Sequence, residues 1–154
     1  AGGRGGPRVG GGVGGGEGGA GSGYGAAALA QLANEVVSLE RFETLAIEAS
    51  RRLAAHGVTN AKAIFADGLD PPHELGRFDR IIVQASVGAA PAALIQMLTP
   101  GGVLLFARRE HATAGARAKE RLIKLDRNED GELRETDLCP CRLGPAIPGL
   151  AQAL

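Results

Sequence analysis

The chain has 154 residues, enough for one folded domain and too few for two of ordinary size. Its 17 Lys and Arg residues balance 17 Asp and Glu residues, which excludes the basic excess of a protein that binds nucleic acid or anionic membranes. The sequence contains no apolar stretch of membrane-spanning length, no apolar region typical of a secretory signal, and too few cysteines for a disulfide framework. We therefore expect a cytoplasmic monomer without nucleic-acid or membrane partners.

Glycine is concentrated at the start of the chain, where 15 of the 25 glycines lie within the first 25 residues. Such a segment buries too little apolar surface to offset the entropy lost on ordering it. We predict that residues 1–16 form a glycine-rich leader, either disordered or a degenerate first strand. Residues 17–154 are predicted to form the folded domain.

The rest of the chain alternates between helical and extended patterns. Helices are predicted over 26–33, 43–57 and 91–98, and a turn over 99–102 follows the last of them. Strands are predicted over 35–40, 61–68, 78–86 and 103–108, followed by two strands within 120–138 that an Asp-Gly turn joins. This order predicts a doubly wound α/β domain, a Rossmann-like and mostly parallel sheet with helices on both faces and an antiparallel C-terminal hairpin.

Ligands of such sheets bind at the carboxyl ends of the strands, so the residues just past each strand are the candidate site. Glu40 ends one predicted strand, about 20 residues after a glycine turn, and could accept hydrogen bonds from both hydroxyls of a ribose. Asp67, followed by Gly68, could accept a hydrogen bond from the amino group of adenine. The turn before the first helix would approach the cofactor closely through residues with small side chains. The candidate residues here are Gly19, Ala20, Gly21 and Ser22 of the turn, together with the acidic Glu17 just before it.

Each of these features taken alone has an ordinary explanation. A glycine turn in a glycine-rich segment arises by chance, a single glutamate after a strand is usually solvated, and Asp-Gly is usually a plain turn. Their matching positions on successive strands favour an adenosine cofactor. The turn reads G-x-G-x-G, contains no cation for a phosphate, and follows the acidic Glu17. It therefore favours the cationic S-adenosyl-L-methionine over a dinucleotide.

Four stretches carry a more specific similarity: "EGGAGSGYGAAALAQL", "VVSLERFETLAIEASRRLAAHGVTNAKAIFADGL", "FDRIIVQAS" and "LTPGGVLLF". Over roughly residues 17–150 the chain resembles the protein-L-isoaspartate (D-aspartate) O-methyltransferase family, whose turn has the pattern E-x-G-x-G-S-G-Y. The resemblance implies an S-adenosylmethionine-dependent O-methyltransferase that repairs damaged proteins by methylating isoaspartyl carboxylates. It identifies no catalytic residue.

The chain also departs from that family. The family's first strand is rich in Val, Leu and Ile, whereas this chain has "VGGGVGGG" at 9–16. Residues 1–16 do not match the family's N-terminal segment that helps to hold the substrate, so we expect this chain to lack that segment. Two alternatives stay open: a non-catalytic or truncated cofactor-binding homologue, and a methyltransferase of the same fold with a different substrate.

Two charged segments receive simpler interpretations. Residues 126–137 partly match a calcium-binding loop, but Asp137 replaces the usual glutamate and the prolines that follow forbid a helix. We therefore predict a hairpin turn there, and no metal site in the chain. Residues 108–121 are predicted to form a solvated loop or short helix and not a basic groove.

Overall fold

The computed structural model describes residues 7–11 and 23–151, which form one seven-stranded sheet and the helices packed on it. The elements in chain order are β1 Arg8–Gly11, α1 Tyr24–Ala30, β2 Glu35–Glu40, α2 Glu43–Ala55, β3 Ala61–Phe65, β4 Phe78–Val87, α3 Ala92–Gln96, β5 Leu98–Arg109, β6 Glu120–Arg127 and β7 Leu133–Cys141. A short 3₁₀ turn, His73–Leu75, precedes β4.

The sheet has the order β3-β2-β1-β4-β5-β6-β7. Strands β1 to β5 are parallel to one another, and β6 and β7 extend the sheet beyond β5 through antiparallel pairing. The predicted doubly wound fold with an antiparallel C-terminal hairpin is confirmed. The direction of strand succession reverses at β1 and β4, the position where open α/β sheets bind ligands.

Helices cover both faces of the sheet, as successive residues of β2 demonstrate. Val36 packs in one cluster with residues of α1 and α2, whereas Val37 packs in the other cluster with Leu94 of α3. Successive side chains of a strand point to opposite faces of the sheet. The adjacent apolar residues Val36 and Val37 are therefore both buried only if helices pack on both faces. Both side chains are 1% exposed.

β1 lies in the middle of the sheet although two of its four residues are glycine. Val9 is the only large apolar side chain in this strand. A Cβ atom at Gly10 would lie 3.1 Å from the Phe78 ring, so the missing side chain leaves room for that ring. Arg8–Gly11 thus form a strand within the predicted leader, while the division of the chain at residue 16 stays a prediction.

Arg8 anchors this strand through polar contacts. Its guanidinium forms two hydrogen bonds with Glu35, at 2.6 and 3.2 Å, and donates to the carbonyl oxygens of Leu75 (2.6 Å) and Arg77 (3.0 Å). Its backbone N–H donates to Asp79 at 2.8 Å. One residue therefore ties β1 to β2, to β4 and to the turn before β4.

Two predicted boundaries were wrong. The turn predicted over 99–102 lies within β5, which begins at Leu98 and not at Val103. Its pairing with β4 shifts register between Phe78 and Arg80, so the Pro-Gly sequence makes an irregularity inside the strand instead of ending it. Helix α1 also begins and ends earlier than the predicted 26–33.

The segment that partly matched a calcium loop is the hairpin turn between β6 and β7. The Asn128 N–H donates to the Glu132 carbonyl oxygen at 2.9 Å, and the Glu132 N–H donates to Asn128 Oδ1 at 2.7 Å. Both flanking segments are strands, so the predicted hairpin is confirmed.

We predict that Arg8→Ala lowers the free energy of unfolding by about 2–3 kcal/mol, because the Glu35 carboxylate and two carbonyl oxygens lose their donor. The Arg8 hydrogen bond is the largest cause that holds the pKa of Glu35 below its ordinary value, against a smaller opposing effect of burial. A lowered folded-state pKa stabilises the fold above the unfolded pKa, and this contribution disappears as the pH falls through the folded-state value. The difference from wild type should therefore shrink below about pH 4.

Urea unfolding at several pH values measures this effect. Arg51→Ala, an exposed position on α2, is the control. If Arg8→Ala and Arg51→Ala lower the free energy of unfolding by the same amount, the stability of β1 does not depend on Arg8.

Candidate cofactor site

The carboxyl ends of β2 and β3 bring Glu40 and Asp67 to the same edge of the sheet. Glu40 is paired with Phe65, and the Ala66 N–H donates to the Glu40 carbonyl oxygen at 3.0 Å. Asp67 is the next residue, so two of the three acidic residues predicted to bind the cofactor lie at the carboxyl ends of neighbouring strands.

Glu40 carries a buried carboxylate whose hydrogen bonding is incomplete. The residue is 4% exposed, and its Oε1 accepts a hydrogen bond from the Phe42 N–H at 3.1 Å. Phe42 is the only donor to this carboxylate among residues 7–11 and 23–151. Burying a carboxylate is costly unless it is hydrogen-bonded, and Oε2 is the oxygen left for a ligand donor.

Asp67 is half-buried and already holds two backbone groups. Its Oδ1 accepts a hydrogen bond from the Leu69 N–H (2.9 Å) and its Oδ2 one from the Gly149 N–H (2.8 Å). A carboxylate oxygen can accept two hydrogen bonds, so each oxygen keeps one acceptor position. Gly68 is buried and lines a small apolar cavity with Gly10, Leu39 and Phe78.

The remaining predicted cofactor-binding residues, Glu17, Gly19, Ala20, Gly21 and Ser22, lie outside the described residues. The next residue, Gly23, shows how the turn ends. It precedes α1 with φ at +75°, and a Cβ atom there would lie 3.3 Å from the carbonyl oxygen of Ala49 and 3.4 Å from its Cα. The turn therefore ends directly against the backbone of α2.

A C-terminal segment, residues 142–151, crosses this edge of the sheet. At β4, the Ser86 N–H donates to the Gly144 carbonyl oxygen (2.6 Å) and the Ala146 N–H donates to the Ser86 carbonyl oxygen (2.8 Å). At β2, Arg41 Nε donates to the Gly149 carbonyl oxygen at 3.2 Å. Past the end of β3, the Gly149 N–H donates to Asp67 Oδ2 at 2.8 Å. The sequence predicted nothing about this arrangement.

Glu120 joins the C-terminal segment to β4. The Ser86 hydroxyl donates to Glu120 Oε1 (2.8 Å), and Oε2 accepts from the N–H groups of Leu143 (2.6 Å) and Gly144 (3.3 Å). Burial raises the pKa of Glu120, but these hydrogen bonds and Arg109 outweigh it and leave the pKa below its ordinary value. Glu120 is thus an ionised anchor at neutral pH.

Beyond Glu120 lies a cleft of about 810 Å³. We call it the cationic cleft; the cations lining it are Arg109, Arg117, Lys119, Arg121 and Arg142. The prediction that residues 108–121 make no basic groove was wrong. The loop closes on itself through the Glu110 N–H, which donates to the Lys119 carbonyl oxygen at 2.9 Å, and the hairpin supplies the opposite wall.

The described residues contain no group of three or more His, Cys, Asp or Glu side chains arranged to hold a metal ion. Cys139 and Cys141 are free thiols. Burial and the nearby Glu120 raise the pKa of Cys141, which therefore stays protonated at neutral pH. Within the described part of the chain, no helix is long and apolar enough to cross a membrane.

The order of the strands, with antiparallel strands at one edge, is that of the Rossmann-like fold of S-adenosylmethionine-dependent methyltransferases. A protein-L-isoaspartate O-methyltransferase aligns with 95% of this chain and 44% of its own, with a TM-score of 0.74 and 24% identity. A putative Plasmodium falciparum protein-L-isoaspartate O-methyltransferase in complex with S-adenosyl-L-homocysteine aligns with 92% of this chain and 66% of its own, with a TM-score of 0.72 and 22% identity.

Sequence comparison identifies the family within that class. The profile of the protein-L-isoaspartate (D-aspartate) O-methyltransferase family matches residues 16–149. Protein-L-isoaspartate O-methyltransferase 2 of Rhodopseudomonas palustris is 40% identical over 130 residues, which are 84% of this chain and 57% of that protein. The protein-L-isoaspartate O-methyltransferase of Nitrobacter winogradskyi is 41% identical over 129 residues, 83% of this chain and 56% of its own. This chain belongs to the protein-L-isoaspartate (D-aspartate) O-methyltransferase family, and it spans a little over half the length of these relatives.

We predict that Gly23→Ala lowers the free energy of unfolding by about 2–3 kcal/mol, because the added Cβ is strained at positive φ and presses on the Ala49 backbone. Gly57→Ala is the matched control, since Gly57 has φ +69° and no atom within 4 Å of the added Cβ. Its cost should be about 1 kcal/mol. Urea unfolding of both variants gives the comparison, and equal costs would mean that the contact with α2 contributes nothing.

We predict that Glu120→Gln speeds amide hydrogen exchange at Leu143 and Gly144 and costs about 1–3 kcal/mol, because an amide cannot accept all the hydrogen bonds of the carboxylate. Since the folded-state pKa of Glu120 is lowered, its contribution is present above the unfolded pKa and disappears as the pH falls below about 4. Glu129→Gln, exposed in the hairpin turn, is the control. Unchanged exchange at both amides would show that Glu120 does not anchor the C-terminal segment.

Proposed function

We propose that this chain binds S-adenosylmethionine at the carboxyl edge of β1, β2 and β3 and takes part in methylating isoaspartyl carboxylates of damaged proteins. The observation that carries the proposal is Glu40, a buried carboxylate at the end of β2 with one oxygen not used by the described residues. A ribose diol offers donors that suit such a group.

The other cofactor contacts follow from the order of the strands. Asp67 keeps acceptor positions for the amino group of adenine, and Gly68 places backbone beside the ring. The turn residues Glu17, Gly19, Ala20, Gly21 and Ser22 would surround the methionine part, with Glu17 close to its positive charge. These assignments fit the donor and acceptor chemistry of the cofactor, which would supply an electrophilic methyl group.

The proposed substrate needs little acid–base assistance. An isoaspartyl carboxylate is ionised at neutral pH and is already a nucleophile, so the protein's task is to orient it and to exclude water. The C-terminal segment lies across the edge where that carboxylate would have to sit. The names of the relatives support the substrate: both are called protein-L-isoaspartate O-methyltransferases. We propose no catalytic residue.

We further propose that the chain acts as a cytoplasmic monomer on damaged proteins and peptides, without binding nucleic acid or membranes. The balanced charge of the chain supports the absence of nucleic-acid and membrane partners. The proposed methyltransferase domain is residues 17–154.

A second candidate is a domain that binds the cofactor without turnover. It is favoured by β1, a strand in the middle of the sheet in which two of the four residues are glycine. A different substrate is a further alternative, because the fold also occurs in an rRNA methylase of Streptococcus thermophilus, with a TM-score of 0.54 and 17% identity. Methyl transfer to an isoaspartyl peptide, with the aspartyl isomer as control, separates these possibilities.

We predict that Glu40→Ala weakens the binding of S-adenosylhomocysteine at least about tenfold, because hydrogen bonds to a charged acceptor contribute about 1.5–3 kcal/mol each. Calorimetric titration measures this affinity. Glu40→Gln should weaken binding less, because an amide oxygen can accept from one hydroxyl.

Glu43→Ala is the control variant. Glu43 is exposed in the first turn of α2, three residues from Glu40. Its substitution removes the same charge as Glu40→Ala and leaves the carboxyl edge of the sheet unchanged. Equal affinity of wild type and Glu40→Ala, with both folded by circular dichroism, would contradict the cofactor assignment. Cofactor binding without methylation of either peptide would favour the second candidate.

A further inference from the structure

The cationic cleft holds positive charge that the protein does not neutralise. Arg109 contacts Glu120 at 3.4 Å, and Arg121 pairs with Asp137 at 2.8 Å. The other three cations, Arg117, Lys119 and Arg142, are exposed, and their side chains have no hydrogen bond or ion pair with any residue in 7–11 or 23–151.

The acidic group within the cleft cannot balance these cations. Glu120 is 8% exposed at its side chain, and its two oxygens accept hydrogen bonds from Ser86, Leu143 and Gly144. The sequence of the loop has the same bias: residues 108–121 contain five Arg and Lys but only Glu110 and Glu120 as acids. A chain with zero formal net charge thus concentrates cations on one surface.

The position of the cleft links it to the proposed site. Gly144 lines the cleft, and its carbonyl oxygen accepts a hydrogen bond from the Ser86 N–H at 2.6 Å. Ser86 lies near the carboxyl end of β4 and is 2% exposed. The cleft therefore adjoins the carboxyl end of β4, within reach of residues that flank a side chain bound at this edge of the sheet.

On this basis, and resting on the proposed function, we propose that the cationic cleft binds acidic residues that flank the isoaspartyl residue of the substrate. The chain thereby prefers isoaspartyl sites in acidic sequence surroundings. Three free cations suit a few carboxylates of a peptide. Nucleic-acid binding typically uses about six to ten phosphate contacts, more than this cleft offers.

The test compares two fluorescent isoaspartyl peptides of equal length, with glutamate or glutamine at the flanking positions. Fluorescence anisotropy in the presence of S-adenosylhomocysteine measures their affinity for the full chain. We expect the glutamate peptide to bind about fivefold more tightly, since two or three exposed charge pairs each contribute modestly. Raising the salt concentration from about 0.05 M to about 0.5 M should remove this preference by screening.

The variant Arg117→Gln/Arg142→Gln should lose the preference and bind both peptides equally. Arg51→Gln/Arg134→Gln, which removes two exposed arginines from α2 and from the far end of β7, should retain it. Because all four positions are exposed, we expect both double variants to unfold like the wild type.

The outcomes separate this proposal from the function on which it rests. Equal affinity of the wild type for the two peptides, or no binding of either, overturns the role of the cleft even when methyl transfer is observed. A preference lost only in Arg117→Gln/Arg142→Gln supports that role, and absent methylation then counts against the proposed function alone. Tight binding of single-stranded RNA that the same variant abolishes, without a peptide preference, overturns the proposal and assigns the cleft to nucleic acid.

Discussion

The sheet depends on the contacts of Arg8, because Arg8 holds β1 in place and β1 has almost no apolar side chains. A central strand is normally held by packing on both faces, and β1 contributes only Val9 to that packing. Arg8 replaces the missing packing with hydrogen bonds to Glu35 and to the turn before β4, and its guanidinium lies 4.5 Å from the centre of the Phe78 ring. Since β1 lies between β2 and β4, it also separates Glu40 from Ser86 at the carboxyl edge.

The sequence predicted the elements with strong local patterns and missed what depends on contacts between distant residues. β2, α2 and the C-terminal hairpin follow from apolar spacing and turn residues within each segment. β1 has no such pattern, because it pairs through its backbone and through Arg8 with residues 27 and 71 positions away. Likewise, the Pro-Gly sequence predicts a turn locally, whereas Leu98 before it already pairs with Phe78 of β4 and the register shifts before pairing resumes at Val103.

The same distinction applies to the candidate site. Glu40 and Asp67 were expected at one edge because parallel strands place their carboxyl ends together, and the structure brings them there. The crossing of the C-terminal segment could not be predicted, since it depends on where the hairpin leaves the sheet. The cationic cleft was missed for a related reason: which arginines of residues 108–121 are neutralised depends on the pairing of β6 with β7 and on the Glu120 contacts.

Glu120 connects the parts of the molecule that carry the proposed function. Through Ser86 it contacts the strand at the site, through Leu143 and Gly144 it holds the C-terminal segment, and through Arg109 it reaches the cleft. Moving this buried carboxylate away from its donors would lower the free energy of unfolding, because each lost hydrogen bond leaves a desolvated acceptor without a partner. The segment that crosses the cofactor edge and the wall of the cleft therefore share one anchor. The proposed binding of substrate residues at the cleft and the hydrogen bond of the C-terminal segment to Asp67 should respond together to a change at Glu120.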